Sequence, residues 1–436
     1  MERYDSYKDS GVKWLGEIPR HWEVVKLKSL CKMFGRIGFR GYSRDDLVDK
    51  GEGAITLSPS NFSDGHLDFS NSSYLSWSKY YESPEIMVQN GDIVFVKTAS
   101  IGKVAYVENL PVETTVNPQI LVFKEIKCNA KFLSYYLQSK KIQGWIIASA
   151  NGSTISTISQ VSVGNYPVIL PTQKVQEALV GYIDIEISKI DAAIAQQQKM
   201  IDLLNERKQI IINNAVTKGL DSNVKMKSSG IDWIGEIPEH WELSQLKKVA
   251  KIILGKMLSK EQGNVYPYLC AKDVHYGSVD VSDLKTMNFS ENEKQMYEVQ
   301  NGDMLIVEGG AGAGGCAIFE SKETGIYIQN SIMIVRGSKS MHNGYICYMI
   351  QSMNQRGYVE YICNKATIPH FTKEKVGSVI IPIPPKEEQK TIVEHIIQKI
   401  KPIDKNIIAC NNRITLLQER KQIIINDVVT GKVKVV

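Results

Sequence analysis

The sequence LLNERKQIIIN occupies residues 203–213, and LLQERKQIIIN occupies residues 416–426. The two copies lie 213 positions apart (416 minus 203), and each closes a long segment in which apolar residues recur at alternating spacings of three and four. This period is typical of an amphipathic helix with a narrow apolar stripe. A chain that carries the same long helix twice is built from two similar halves, so the stretch predicts an internal duplication.

The duplication extends over nearly the whole chain. SGVKWLGEIPRHWE at 10–23 returns as SGIDWIGEIPEHWE at 229–242, and VQNGDI at 88–93 returns as VQNGDM at 299–304. The first pair differs by 219 positions, the second by 211, and Thr154 and Thr367 by 213. The drifting distances indicate small insertions and deletions inside each globular part, whereas the constant 213 indicates helices of equal length.

The repeat predicts five segments. They are a first globular domain at 1–170, a first long helix at 171–217, a polar linker at 218–228, a second globular domain at 229–383 and a second long helix at 384–430. Prolines at Pro171, Pro384 and Pro385 suit the start of each helix. Pro402 lies inside the second helix, where it predicts a local bend or a missing hydrogen bond.

An apolar seam with heptad spacing runs along each predicted helix. It comprises Ile183, Ile187, Ile190, Ile194, Ile201 and Leu204 in the first helix, and Ile396, Ile400, Ile403, Ile407, Ile414 and Leu417 in the second. Both seams are interrupted at the same places, by Gln197 or Cys410 and by Lys208 or Lys421. Lysine stems can pack on such a seam, while their charges must escape to water.

A stripe this narrow implies a coiled-coil partner, and the simplest partner for each helix is the other one. A duplicated chain closes most easily with pseudo-two-fold symmetry. We therefore predict an α+β protein, with two similar mixed α/β globular domains at opposite ends of a long antiparallel two-helix coiled coil. Each helix would be about 68 Å long.

Composition restricts the class of protein. Hydrophobic residues make up 43% and charged residues 23%, which is typical of a soluble globular protein. The chain has neither an apolar run long enough for a membrane span nor a signal-peptide core, and its seven cysteines show no CxxC pair. These features predict a cytoplasmic protein without disulfides or a zinc site. The net charge of +5 permits a polyanionic partner without requiring one.

The globular domains carry turns and strands but no recognisable catalytic motif. Asn-Gly-Asp turns at 90–92 and 301–303 lead into predicted strands, so Asp92 and Asp303 are interpreted as turn carboxylates. The glycine-rich loop at 308–315 leads into a strand, whereas a phosphate-binding loop opens a helix, so we expect it to allow close backbone approach. His21 and His240 recur beside tryptophans without a cysteine or carboxylate cluster, which favours a structural role.

Four features together resemble the specificity subunit of a type I restriction-modification system. They are the Trp-x-Gly-Glu-Ile-Pro-x-x-Trp signature at 14–22 and 233–241, the Asn-Gly-Asp-strand pattern, the proline-led helix starts followed by Gln176 and Gln389, and the Glu-Arg-Lys-Gln helix ends. The resemblance covers the whole chain. One departure is local: the family often has Glu-Gln after the proline, as at Glu388 and Gln389, but the first repeat has Val175 before Gln176.

The resemblance implies a function without catalysis in this chain. Each globular domain would be a target recognition domain that reads one half of a gapped, bipartite site in double-stranded DNA. The helices would set the gap and dock two methyltransferase subunits. No cofactor is expected in this chain; S-adenosylmethionine, ATP and Mg²⁺ would be bound by partner subunits, which include two restriction/translocase subunits in complexes that also cleave. A coiled-coil protein-interaction adaptor without a DNA role is the alternative.

Residues in loops that can donate to phosphates and base edges are the candidate DNA contacts. In the first domain they are Arg36, Arg40, Arg44, Ser60, Asn61, Lys97, Thr98, Ser100, Asn151, Ser153 and Thr154. In the second they are Lys256, Lys260, Lys272, His275, Gly310, Gly312, Lys365 and Thr367. The residue types differ between the domains at matching places, as expected if they read different half-sequences.

Overall fold

The computed structural model describes residues 2–36, 40–150, 156–258, 264–310, 312–363 and 370–435. The chain forms two compact units. Unit one comprises Met1–Gln197 and Asn412–Val436, and unit two comprises Gln198–Asn411. Each unit therefore combines one globular part with the first part of one long helix and the last part of the other.

Unit one contains two four-stranded sheets and a set of helices. Its elements are β1 (Tyr7–Asp9), β2 (Glu17–Pro19), β3 (Glu23–Lys26), α1 (Leu27–Leu30), β4 (Lys32–Gly35), β5 (Leu47–Val48), β6 (Gly53–Leu57), β7 (Phe62–Ser63), β8 (His66–Leu67), β9 (Ser73–Ser76), α2 (Trp77–Tyr81), β10 (Ile93–Val96), β11 (Val104–Tyr106), β12 (Thr114–Val116), β13 (Ile120–Lys124), α3 (Ala130–Gln138), α4 (Lys140–Ala148), α5 (Gln160–Gly164), β14 (Pro167–Leu170) and the start of α6 (Gln173–Lys218). One sheet has the order β11-β10-β13-β4; the other has the order β12-β6-β9-β5, with β12 parallel to β6.

Unit two repeats this plan. Its elements are β15 (Met226–Ser228), β16 (Glu236–Pro238), β17 (Glu242–Gln245), α7 (Leu246–Val249), β18 (Ala250–Leu254), β19 (Val265–Leu269), β20 (Val274–His275), β21 (Ser278–Val279), β22 (Lys285–Asn288), α8 (Glu291–Tyr297), β23 (Met304–Val307), β24 (Cys316–Ile318), β25 (Tyr327–Ile328), β26 (Ile332–Gly337), α9 (Asn343–Gln355), α10 (Tyr358–Cys363), α11 (Lys373–Ser378), β27 (Ile380–Ile383) and the start of α12 (Lys386–Val429). The sheet orders are β18-β26-β23-β24 and β22-β19-β25, with β25 parallel to β19. The predicted α+β class, the repeated globular part and the long helices are confirmed.

Segment boundaries shift slightly from those predicted. The long helices begin at Gln173 and Lys386, just after the prolines. The predicted linker 218–228 is shorter than expected, because Met226–Ser228 forms β15 and pairs with β16. Helix α12 continues through Pro402, and none of the described helices is both long and apolar enough to cross a membrane.

One central strand of each unit, β10 or β23, contributes side chains to two hydrophobic cores, because alternate side chains of a strand point to opposite faces. Ile93 and Phe95 of β10 pack with helical residues such as Phe132. Val94 and Val96 pack with residues of the other sheet, such as Leu57. In unit two, β23 divides its side chains between two cores in the same way. This explains why both strands read as continuous apolar runs.

A carboxylate fixes the turn before each central strand. Asp92 accepts from the Gln89 amide at 2.9 Å and lies 3.4 Å from Lys124 Nζ. Asp303 likewise accepts from Gln300, at 2.8 Å, and pairs with two nitrogens of Arg336. The prediction that both aspartates are turn carboxylates is confirmed.

A buried glutamine ties each long helix to its own globular part. The side-chain oxygen of Gln176 accepts from the main-chain amide of Asn129 at 2.8 Å, and its side-chain nitrogen donates to Pro171 O at 2.7 Å. Gln389 makes the same bonds to the His342 amide and Pro384 O. Both glutamines are essentially buried, so these bonds replace water at the helix start and set its direction relative to the sheet.

Within each unit the two long-helix segments run antiparallel. In unit one Lys421 of α12 pairs with Asp191 of α6 at 2.9 Å, while Val175 and Lys434 border one cavity. In unit two Lys208 pairs with Asp404 at 2.7 Å. The aspartates, like the lysines, lie 213 positions apart (404 minus 191). The charges predicted to escape to water are thus paired with aspartates of the facing helix segment, and each pair favours one register.

The predicted seam residues lie inside the helix pairs. Ile183, Ile187, Ile190, Ile201, Ile396 and Ile403 are buried, and Ile194, Leu204, Ile400, Ile407, Ile414 and Leu417 are half-buried. Intermediate burial is expected along a two-helix contact, because such a pair has no third layer to cover it.

We expect Asp191→Ala to destabilise unit one by about 1–3 kcal/mol, because it leaves the buried Lys421 ammonium without its counter-charge. The double variant Asp191→Ala, Lys421→Met should recover most of that loss, since the methionine keeps the apolar stem and removes the charge. Urea unfolding of both variants and of Lys421→Met completes the cycle. Additive effects of the two substitutions would contradict the pairing.

Candidate nucleic-acid interface

Two predicted contact loops of unit one lie side by side, and residues 156–158 adjoin one of them. Lys103 Nζ, at the end of the 97–103 loop, donates to Pro59 O at 3.1 Å and so joins that loop to the turn at 58–61. On its other side the Ile158 amide donates to Lys97 O at 2.9 Å, and the Thr98 and Thr157 hydroxyls lie 3.0 Å apart. Lys97, Thr98, Ser100 and Ser60 therefore belong to one surface, which we call loop cluster one (residues 58–61, 97–103 and 156–158).

Unit two assembles the same loops with the same main-chain contacts. The Phe371 amide donates to Glu308 O at 2.6 Å, and Gly309 bridges to His370. Ser331 joins the turn at 270–273 to the glycine-rich loop, because its hydroxyl accepts from the Ala271 amide and its carbonyl accepts from the Glu308 amide. We call this surface loop cluster two (residues 270–273, 308–310, 312–315 and 370–371). The predicted close approach of another backbone to the glycine-rich loop is confirmed.

One backbone feature of the hairpin loop is kept although its sequence is not. Ala99 and Gly310 hold equivalent places, and both have positive φ, of 64° and 83°. Glycine adopts this region without strain, whereas alanine does so only when the surroundings impose it. In unit one the Ala99 amide donates to Ser156 O at 3.0 Å, which supplies that constraint.

Loop cluster one presents positive charge. Lys97 is half-buried, and burial lowers the pKa of its ammonium group. Within the described part of the chain, neither Lys97 nor Lys103 has a carboxylate within salt-bridge distance. The two lysines and the hydroxyls of Ser60, Thr98 and Ser100 belong to the same loops, which are rich in donors of the kind that suits phosphates and the acceptor edges of bases.

Loop cluster two has different chemistry at matching places. Glu308 stands where unit one has Lys97, and burial together with the nearby Glu374 raises the pKa of its carboxyl group, while His370 opposes that rise. Lys272 is exposed, donates to Asp283 O at 3.1 Å and lies 3.6 Å from Asp273. A glutamate can accept from a cytosine amino group, whereas a lysine donates to guanine, so the two clusters are suited to different base edges.

Three predicted contact residues are turned inward, which corrects their assignment. Arg36 is 5% exposed and donates to Val116 O, and Lys256 is 8% exposed and donates to Glu293. Asn61 is also buried, and its side chain caps the turn by accepting from the Ser58 amide at 2.9 Å. Their polar groups are used inside the protein, so we assign them to the support of the loops.

The other predicted residues are distributed as follows. Arg40 pairs with Glu85 at 3.4 Å, Arg44 and His275 are exposed outside the clusters, and Gly310 and Gly312 lie in loop cluster two. Asn151, Ser153, Thr154, Lys260, Lys365 and Thr367 lie outside the described residues.

Sequence reasoning missed Lys103, Thr157, Glu308 and His370, which the fold brings into the clusters. Superposing the repeats by number would have placed Glu308 opposite Lys97, since Asn90 and Asn301 differ by the same 211 positions. The other three become visible only once the loops are folded together. No group of three or more His, Cys, Asp or Glu side chains is placed to hold a metal within the described ranges.

Comparisons with known proteins agree with this duplicated arrangement. The model of the family described as the type I restriction modification DNA specificity domain matches residues 19–202 and again 238–416. A putative type I restriction enzyme MjaX specificity subunit of Methanocaldococcus jannaschii is 27% identical and is aligned over 98% of both chains. The EcoKI specificity subunit of Escherichia coli K12 is 20% identical over 96% of this chain and 90% of that one.

A solved structure shares the fold. A chain from a type I R-M system, from work on its complex assembly and conformational transition, gives a TM-score of 0.68 at 18% identity and covers 95% of this chain and 99% of that chain. The family model matches twice and spans most of the sequence. The resemblance inferred from the repeat is thereby confirmed, and the chain belongs to the family of type I restriction-modification DNA specificity proteins.

Proposed function

We propose that this chain is the sequence-specific DNA-recognition subunit of a type I restriction-modification complex, and that each unit reads one half of a gapped site. The observation that carries the proposal is the pair of loop clusters. Their main-chain bonds to Lys97 and Glu308 are the same, but the side chains presented there have opposite charge. Two domains that read different half-sequences need the same backbone framework with different polar side chains on it.

The long helices would set the separation of the half-sites. Each helix contributes to both units, and the Lys-Asp ion pairs favour one register inside each unit. DNA turns once in about 10 base pairs, so a site with the wrong gap would present its second half on the wrong face. The membership in a DNA specificity family disfavours the adaptor alternative.

Catalysis would belong to partner subunits. We propose that two methyltransferase subunits dock on the chain and bind S-adenosylmethionine, and that restriction/translocase subunits, where present, use ATP and Mg²⁺. The outward-facing charges of the repeated Glu-Arg-Lys-Gln stretch, such as Glu206 and Glu419, are candidate docking groups. The role left to this chain is recognition and spacing.

The charge of loop cluster one predicts a salt-dependent contribution to DNA binding. In the complex with its methyltransferase partner, Lys103→Ala should weaken binding to all sequences about equally and reduce the slope of log K against log salt by about 1. Fluorescence anisotropy at several salt concentrations measures both quantities. Lys199→Ala, an exposed change on α6 outside both clusters, is the control. An unchanged slope for Lys103→Ala would remove this residue from the interface.

Lys97 and Glu308 hold matching positions in the two units, so substitutions of these residues should affect different half-sites. Lys97→Ala should relax base preference in one half-site only, and Glu308→Gln in the other half-site only, each with a discrimination loss of about 1–3 kcal/mol at the contacted base. Sequencing of the methylome of cells carrying each variant shows which half has changed. If either variant altered both halves, or neither, the assignment of one reader per unit would be wrong.

The length of the two long helices is expected to set the gap between the half-sites. Four residues inserted after Gln197 in α6 and four after Asn411 in α12 lengthen each helix by about 6 Å. The permitted gap should then grow by about two base pairs, while both half-sequences stay the same. Methylome sequencing is again the measurement. Altered half-sequences with an unchanged gap would contradict the spacing role.

A further inference from the structure

Two short helices of unit two, α7 and α11, together carry four lysines and one glutamate, which gives a net charge of +3 (4 minus 1). The matching helices of unit one, α1 and α5, carry one lysine and no acidic residue, which gives +1. The additional lysines are Lys248, Lys373 and Lys375, at the positions of Ser29, Gln160 and Ser162. Unit two therefore has more positive charge than unit one on a surface outside the loop clusters.

The two helices pack against each other, so their lysines border one surface. The Leu246 amide at the start of α7 donates at 2.8 Å to Val379 O, just after α11. A Cβ on Gly377 would lie 3.3 Å from Lys247 Cβ, so the Lys247 stem lies beside this glycine of α11. Lys373 precedes Gly377 by four residues, which places it on the same side of the helix, one turn away. We call this surface the basic face (residues 247–248 and 373–377).

The basic face adjoins loop cluster two. Phe371 belongs to the cluster, and the next residue, Thr372, caps α11 by accepting from the Lys375 amide at 3.5 Å. Lys375 Nζ donates to His370 O at 2.9 Å, so this side chain reaches back to the cluster. An ammonium group has three donors, and two remain for a ligand. These bonds fix the direction of α11 relative to loop cluster two.

Three lysines of the basic face are exposed and unpaired. No carboxylate among the described residues lies within salt-bridge distance of Lys247, Lys248 or Lys373. Glu374 is the single carboxylate on these two helices, and it is also exposed. Lysines without counter-charges repel one another, whereas a polyanion attracts them together and releases its own counterions when it binds.

The hairpin loop of unit two has no lysine at the two places where unit one has one. Glu308 and Gly315 stand where unit one has Lys97 and Lys103. Lys272, the described lysine of loop cluster two, is shared with carboxylates 3.5 and 3.6 Å away. Phosphates repel a glutamate that approaches a base edge, so a unit that reads DNA with a carboxylate needs cations nearby. The basic face provides them.

We propose that the basic face binds the phosphate backbone of DNA beside the half-site that unit two reads. It would supply in unit two the sequence-independent attraction that Lys97 and Lys103 supply in unit one. Helix α11 is about 9 Å long, and phosphates of one strand are spaced by about 3.4 Å along the DNA axis, so its lysines can reach neighbouring phosphates. This inference rests on the proposed function, and it assigns DNA contacts to a surface outside both loop clusters.

Salt titrations of DNA binding by the complex with the methyltransferase partner test the proposal. Lys373→Gln introduces the residue that unit one has, and Lys247→Met keeps the stem that packs beside Gly377. Each should reduce the slope of log K against log salt by about 1, and the double variant by about 2, because one phosphate contact is lost with each charge. Fluorescence anisotropy with a labelled random-sequence duplex measures the slope. Methylome sequencing of cells with Lys373→Gln should show both half-sequences unchanged, because phosphate contacts carry no base information.

The matched control is Lys322→Gln, which removes an exposed lysine beyond the end of β24 that is remote from the glycine-rich loop, and it should leave the slope unchanged. Lys373→Gln alone keeps the test decisive if Lys247→Met is unstable. The proposal is overturned if Lys373→Gln leaves the slope unchanged while Lys103→Ala still reduces it, and the proposed function then stands. A changed half-sequence in Lys373→Gln would also overturn it. If the wild-type complex shows no salt-dependent DNA binding, the proposed function fails and the basic face loses its ligand with it.

Discussion

The structure depends on the pairing of helix segments from distant parts of the chain. The core of unit one contains Ile183 and Ile187 of α6 together with Ile424 and Val428 of α12. A helix segment cannot bury a narrow apolar stripe by itself, so α6 and α12 must pack together before either unit has a complete core. The Lys-Asp pairs then select one register, because any slip would leave an ammonium on the seam without its counter-charge.

Rigid attachment of the globular parts to this helix pair follows from a few buried polar groups. Gln176 and Gln389 replace water at the starts of the helices, and Asp92 and Asp303 fix the turns that lead into the central strands. A buried polar group has few alternative partners, so each of these bonds specifies a direction as well as adding stability. These bonds therefore also fix the direction of the central strands that lead into the loop clusters.

Loop residues divide into those that build the surface and those that are displayed on it. Arg36, Asn61 and Lys256 direct their polar groups inward, and main-chain bonds at Lys97 and Glu308 hold the hairpin loops in place. Because the frame is made largely by the backbone, side chains at the displayed positions can change without altering the fold. This separation allows the same architecture to present a cation in one unit and a carboxylate in the other.

The repeat also shows where one half of the chain has diverged from the other at a structural position. Glu388 accepts from Trp241 Nε1, whereas Val175 stands at the matching position of unit one and Trp22 Nε1 has no hydrogen-bond partner among the described residues. The difference was visible in the sequence as a local departure from the family pattern.

The sequence by itself determined the duplication, the long helices, the seam residues and the turn carboxylates, because these follow from periodicity and spacing along the chain. The family followed from the resemblance of the repeated motifs. The sequence could not show that Arg36 and Lys256 point inward, since a basic stretch punctuated by glycine resembles a surface loop until its partners, Val116 and Glu293, are brought beside it. Nor could it identify Asp191 and Asp404 as the partners of the seam lysines. Contacts between residues about 200 positions apart depend on how elements pack in three dimensions, and only the tertiary structure decided them.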